Sequence, residues 1–137
     1  MKLKTIQRKY LREATLMLVL ARLAVHFVPA ARIFSWARHQ PRRVNRFANG
    51  EADWIAWAVE RIGNKSWMNA LCLPRALAIH AMLRRRGIAS RLCLGVARDD
   101  QKKLIAHAWV EVGQTTVPLD SAFAHFTRLA QFGEAPV

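Results

Sequence analysis

The chain holds only two cysteines in 137 residues, Cys72 and Cys93, too few for a disulfide framework and in keeping with a reducing cytoplasm. The two lack the close spacing and accompanying histidines of a zinc site, so no metal and no cofactor is expected. Acidic residues are scarce, nine Asp and Glu against 22 Lys and Arg. Long clean apolar runs are missing too. The stretch 14–31, behind Lys2, Lys4, Arg8, Lys9 and Arg12, imitates a signal peptide. Arg22 and His26 interrupt it, leaving too little for a span of about twenty apolar residues. No internal repeat or low-complexity segment is present. What is abundant is hydrophobic content, 53%, which excludes disorder and supports one domain, 1–137, with a modest core.

The net charge of +13 is uneven, because residues 1–46 carry eleven Lys and Arg and the single acid Glu13. Such an arm is either a solvated basic face or a surface for an acidic partner. Neither a base-stacking motif nor a DNA-binding signature accompanies it, so nucleic acid is not expected. Leu16, Val19, Leu20, Leu23 and Phe27 recur at helical spacing and predict a long amphipathic helix. Its stripe either packs on the core or docks a partner, with membrane-surface contact the lesser alternative. Residues 50–62, with Trp54, Ile55, Ala58 and Ile62, predict a second helix and complete a helical N-terminal region, 1–62. The core then occupies 63–137, and 121–132 reads as a short final helix before Gly133.

The chemistry-bearing residues lie in that core. Cys72 opens a helix-patterned run with Pro74 in its first turn, Arg84, Arg85 and Arg86 in its last, and Gly87 to stop it. At 1.5 Å per residue the run 72–86 is about 22 Å long. The apolar run 90–97 that follows is a strand of about 26 Å, so packing back along the helix returns the chain to the level of Cys72. The polar segment 98–103 is then a hairpin loop, and His107 lies a few residues into the next strand. Gly113-Gln114 suits a two-residue primed turn. That turn makes paired positions sum to 227: Val112 faces Thr115, Trp109 faces Pro118 and His107 faces Asp120. The last two are non-hydrogen-bonded pairs, with Cα atoms about 4.5 Å apart. A thiol at a helix N-terminus, with an imidazole and a carboxylate paired on adjacent strands, are the parts of a Cys-His-Asp nucleophilic site.

Other candidates are weaker. Cys93 sits in an apolar strand and reads as core. His80 lies eight residues along the Cys72 helix, too far to serve the thiol. His125 competes for the base role without a strand register to aim it. His26 and His39 read as structural or surface groups, and Asp99 and Asp100 as turn residues. Trp109 shares a face with His107, which makes it either a wall of the cleft or a core residue packed on the Cys72 helix. Trp67, just ahead of the nucleophile, is a second candidate for binding substrate. The oxyanion falls to the backbone at Cys72, with Asn69 either a side-chain donor or a helix cap.

The segments "CLPRALA", "LRRRGIASRLCLGV" and "AHAWVEV", with Asp120 beyond them, resemble the transglutaminase-like cysteine-protease core and, more narrowly, the leader peptidases of lasso-peptide biosynthesis. These are bacterial enzymes of antibiotic biosynthesis that cut the leader from a ribosomally made precursor. The resemblance implies an α+β fold in which the nucleophile helix packs on a small antiparallel sheet, as in papain-like enzymes. By position it makes Cys72 the nucleophile, His107 the general base and Asp120 its orienting partner. It also implies a separate leader-recognition protein, since no small β-rich domain precedes the core, and an ATP-dependent macrolactam synthetase. Papain-like enzymes place a Gln shortly before the nucleophile, and Asn69-Ala-Leu-Cys72 has none. Acyl transfer by the same triad, and a non-catalytic leader-binding subunit, are the alternatives.

Overall fold

The computed structural model describes residues 2–38, 49–65, 68, 71–113, 115–117 and 126–133. Four helices, α1 (Lys2–Phe27), α2 (Ala30–Arg38), α3 (Asn49–Gly63) and α4 (Cys72–Arg85), precede four strands. These are β1 (Arg91–Arg98), β2 (Leu104–Val112), β3 (Thr115–Val117) and β4 (Thr127–Phe132), in one sheet of order β3-β2-β1-β4. The α+β architecture is the expected one.

The innermost helix is α4, with Leu77, Ile79, Met82 and Leu83 among its buried residues. It packs on α1 and α3 to one side and on β2 and β1 to the other. Its C-terminus closes as the Arg-Arg-Arg-Gly sequence predicts. Gly87 takes φ 75°, its N–H donates to Arg84 O, and Ile88 N–H reaches back to Leu83 O. This is a Schellman ending, which a residue with a Cβ would strain. Ion pairs tie α4 to its neighbours: Arg75 to Glu60 of α3 at 2.8 Å, and Arg85 and Arg86 to Glu13 of α1.

Two expectations are corrected. The apolar run does not pass through residue 28 as one helix. Pro29 cannot continue α1, and a second helix starts there, with Arg32 and Ile33 N–H donating to Pro29 O. More telling is the face that α1 buries: Tyr10, Ala14, Leu18 and Ala21, where the two small residues let α3 and α4 approach closely. The conspicuous stripe of Leu16, Val19, Leu20, Leu23 and Phe27 is exposed instead. The second correction concerns 127–132, which forms strand β4 rather than a helix and pairs with the otherwise open edge of β1. Phe132 joins the helix-side core and stacks on Phe34 of α2 at 4.4 Å between ring centres. Backbone pairing and this burial override a weak helical pattern. Of the described helices, none is long and apolar enough to cross a membrane.

Where α2, α4 and β1 meet, the only buried charged-type side chain among the described residues is His80. Its Nε2 lies 2.8 Å from Ala37 O, which can only accept, so Nε2 carries the proton. Nδ1 then accepts from the Ser90 hydroxyl at 2.7 Å. Burial lowers the pKa of this imidazole, and the Arg84 charge adds to the effect against the opposing bond to Ala37. A depressed folded value means the unfolded chain binds the extra proton first. Stability should therefore fall as pH drops below about 6.5, until the folded imidazole also protonates. His80→Gln should flatten the slope of Tm against pH between about 7 and 5, whatever it does to Tm itself. An unchanged slope in thermal melts would assign that dependence elsewhere.

Candidate active site

Cys72 is the first residue of α4, half-buried where the helix emerges from the core. The residue before it, Leu71, has extended backbone, and its side chain makes no capping hydrogen bond. The first turn closes through Arg75 N–H to Leu71 O, and Pro74 has no N–H to satisfy. The amides of Cys72 and Leu73 are thus left at the positive end of the helix dipole, beside the thiol. That setting offers donors to an oxyanion.

His107 is the fourth residue of β2, the strand against which α4 packs, and it pairs across the sheet with Gly95 of β1. The turn after β2 has the register that the Gly113-Gln114 sequence predicts. Val112 pairs with Thr115, Glu111 with Thr116 and Val110 with Val117, and Gly113 takes φ 61°. Pro118, Asp120 and His125 lie outside the described residues, as do Trp67, Asn69 and His39.

The strand divides its work between two faces. Ala108 and Val110, with Val112 beside them, belong to the core shared with α1, α3 and α4. The expectation that the shared face of His107 and Trp109 packs on the Cys72 helix is therefore corrected, since α4 covers the other face of β2. Trp109 is buried outside that core, on the face of His107 and Glu111, opposite Cys93. Its ring lies 6.5 Å from His107 with 21° between planes, which makes it a wall beside the imidazole. Phe126, not anticipated from sequence, adds a ring 5.4 Å from His107 and 6.1 Å from Trp109.

Glu111 was also missed, although its alternation with His107 and Trp109 places it on their face. It accepts hydrogen bonds from Trp109 Nε1 and Arg91 Nη2, both at 3.0 Å, and pairs with Arg128. Burial alone would raise its pKa. The bonds from Trp109 and Arg91 and the charges of Arg128 and Arg91 outweigh it and hold the carboxyl below its ordinary value. Other polar candidates lie apart from this face. His80 is committed to Ala37 and Ser90, and exposed His26 ends α1 beside Phe27. Asp99 organises the hairpin loop, its Oδ1 accepting from Gln101 N and Lys103 N.

The model of the Transglutaminase-like superfamily matches residues 15–131, so the chain belongs to that superfamily, whose members are typically cysteine proteases or acyltransferases. No curated protein and no solved structure matches the chain.

The two thiols differ in a way that can be measured. Burial, joined by the nearby Glu111 carboxylate, pushes Cys93 up to about 11, so it stays protonated and covered at neutral pH. Iodoacetamide at neutral pH should label the folded protein at Cys72 and leave Cys93 unmodified, as read by peptide mass spectrometry. Labelling confined to Cys93 would reverse the assignment of the reactive thiol.

Proposed function

We propose that this chain is a cysteine endopeptidase that removes the leader peptide from a ribosomally made precursor during lasso-peptide maturation. The observation that carries the reading is a half-exposed thiol at the N-terminus of the buried helix α4, in a chain of the transglutaminase-like superfamily. Cys72 Sγ attacks the scissile carbonyl carbon while His107 takes the thiol proton, and the oxyanion accepts from backbone N–H at the start of α4. Asn69 is a candidate second donor, and Asp120 holds the imidazole in its working tautomer. The proton returns to the leaving amine, and water cleaves the thioester to release the enzyme. Trp109, and Trp67 ahead of the nucleophile, line the substrate cleft.

Delivery of the substrate falls to a separate leader-recognition protein, with a macrolactam synthetase acting on the released core peptide. The outward face of α1 is the docking surface on this chain. Its apolar stripe is exposed, as are Lys4, Arg8, Lys9 and Arg12 toward its N-terminal end, and the only acid on the helix, Glu13, is turned toward Arg85 and Arg86. Such a face suits an acidic partner presenting an apolar ridge.

Cys72→Ala should abolish cleavage, a loss on the order of 10⁴-fold or more, with Tm nearly unchanged. His107→Ala should be almost as severe and Asp120→Asn milder, measured by mass spectrometry of a precursor encoded beside the chain. Two free fragments indicate hydrolysis, whereas a joined product would establish acyl transfer instead. Full activity in Cys72→Ala would remove the nucleophile assignment. The recognition protein should accelerate cleavage by raising the local substrate concentration, and added salt should weaken that acceleration. Equal rates with and without it across a salt series would refute delivery while leaving the nucleophile in place.

A further inference from the structure

Three unusual features of the sheet converge on one indole. The first is Gly95, in the middle of β1, where a glycine ordinarily weakens a strand. A Cβ there would lie 2.7 Å from Trp109 Cη2 and 2.8 Å from Thr127 O, so the bare backbone is what lets the indole lie across β1. The second is the irregularity in the β1–β4 ladder between Leu94 and Gly95. Leu94 pairs with Ala130, and regular pairing would next oppose Gly95 to Leu129, but Gly95 pairs with Arg128 instead. The bulge passes over Leu129, which is left exposed, and turns Arg128 onto the face of His107, Trp109 and Glu111. The third is Glu111 itself, its side chain only 12% exposed and shared by two guanidinium groups and the Trp109 N–H.

A carboxylate braced by Arg91 on one side and Arg128 on the other has little freedom to turn. The indole N–H that it accepts is fixed in the plane of the ring, so holding that hydrogen holds the ring. The ring stands beside His107, and Phe126 borders both. We propose that Glu111 is a positioning residue: braced by Arg91 and Arg128, it fixes the Trp109 indole and through it the orientation of the His107 imidazole. The inference rests on His107 acting as the general base. The geometry it describes, however, is measurable without any substrate.

The test combines two readouts on Glu111→Ala, Glu111→Gln and Arg128→Ala, with Trp109→Phe for comparison. The His107 ring-proton resonances, assigned by their loss in His107→Gln, report the ring currents of the neighbouring indole. Steady-state cleavage reports kcat and KM separately. Glu111→Ala should shift the His107 resonances and lower kcat roughly tenfold to a hundredfold with KM nearly unchanged, as expected for misplacement of a reacting group. Glu111→Gln keeps an oxygen that can accept the indole N–H and should recover part of both effects. Arg128, half-exposed at the sheet edge, gives a milder variant should Glu111→Ala fail to fold. Unmoved resonances in folded Glu111 or Arg128 variants would overturn the proposal, and so would moved resonances with unchanged kcat. Shifted resonances in a protein whose wild type cleaves no precursor would uphold the positioning and refute the peptidase reading.

Discussion

The burial of α4 is the constraint on which the rest of this structure depends. Leu77, Ile79, Met82 and Leu83 are covered from both sides, by α1 and α3 and by β2 and β1. Full burial of each such side chain contributes about 1.5–3 kcal/mol, so the helix cannot slide or rotate without exposing several of them at once. A helix held along its length also has a fixed end. Cys72 stands at that end, half-buried, with the first-turn amides around it. The site is thus anchored by packing deeper in the molecule than the site itself. The terminus of a buried helix gives that thiol both a rigid frame and an opening.

Charge plays the complementary part. With so few acids available, those at the element junctions each bridge two or three segments: Glu60 joins α3 to α4, Glu13 joins α1 to α4, and Glu111 spans β1, β2 and β4. Exposed pairs of this kind stabilise little, but those at Glu13 and Glu111 are largely covered and select one arrangement of the elements over others. On α1, Lys4, Arg8, Lys9 and Arg12 are exposed. The apolar stripe of α1 is exposed as well, since the core needed the small residues Ala14 and Ala21 at the helix crossings.

The most legible elements were those whose signals are local and stereochemical. Gly87 and Gly113 both adopt the positive φ that a helix stop and a primed turn require, and the β2–β3 register followed from the turn. The ends of α4 could be read from Pro74, the three arginines and Gly87 to within a residue. Strand β4 could not, because its identity depends on the edge of β1, which lies more than thirty residues earlier in the chain. Which face of α1 is buried stayed open in the sequence for a related reason. Hydrophobicity alone favours Leu and Phe, whereas closely crossing helices favour Ala, and only knowledge of the neighbour decides between them.

The candidate site divides along the same line. Sequence alone determined that Cys72 begins a helix, that His107 lies on the strand after a hairpin, and that His107 and Trp109 alternate onto one face. These follow from residue spacing and from the periods of helix and strand, which need no partner. Tertiary structure decided that this face is separate from the helix-packed core, that Phe126 closes on the imidazole, and that a bulge swings Arg128 toward Glu111. Each of those depends on where distant segments of chain meet. Packing and backbone pairing choose among arrangements that local sequence leaves equally open.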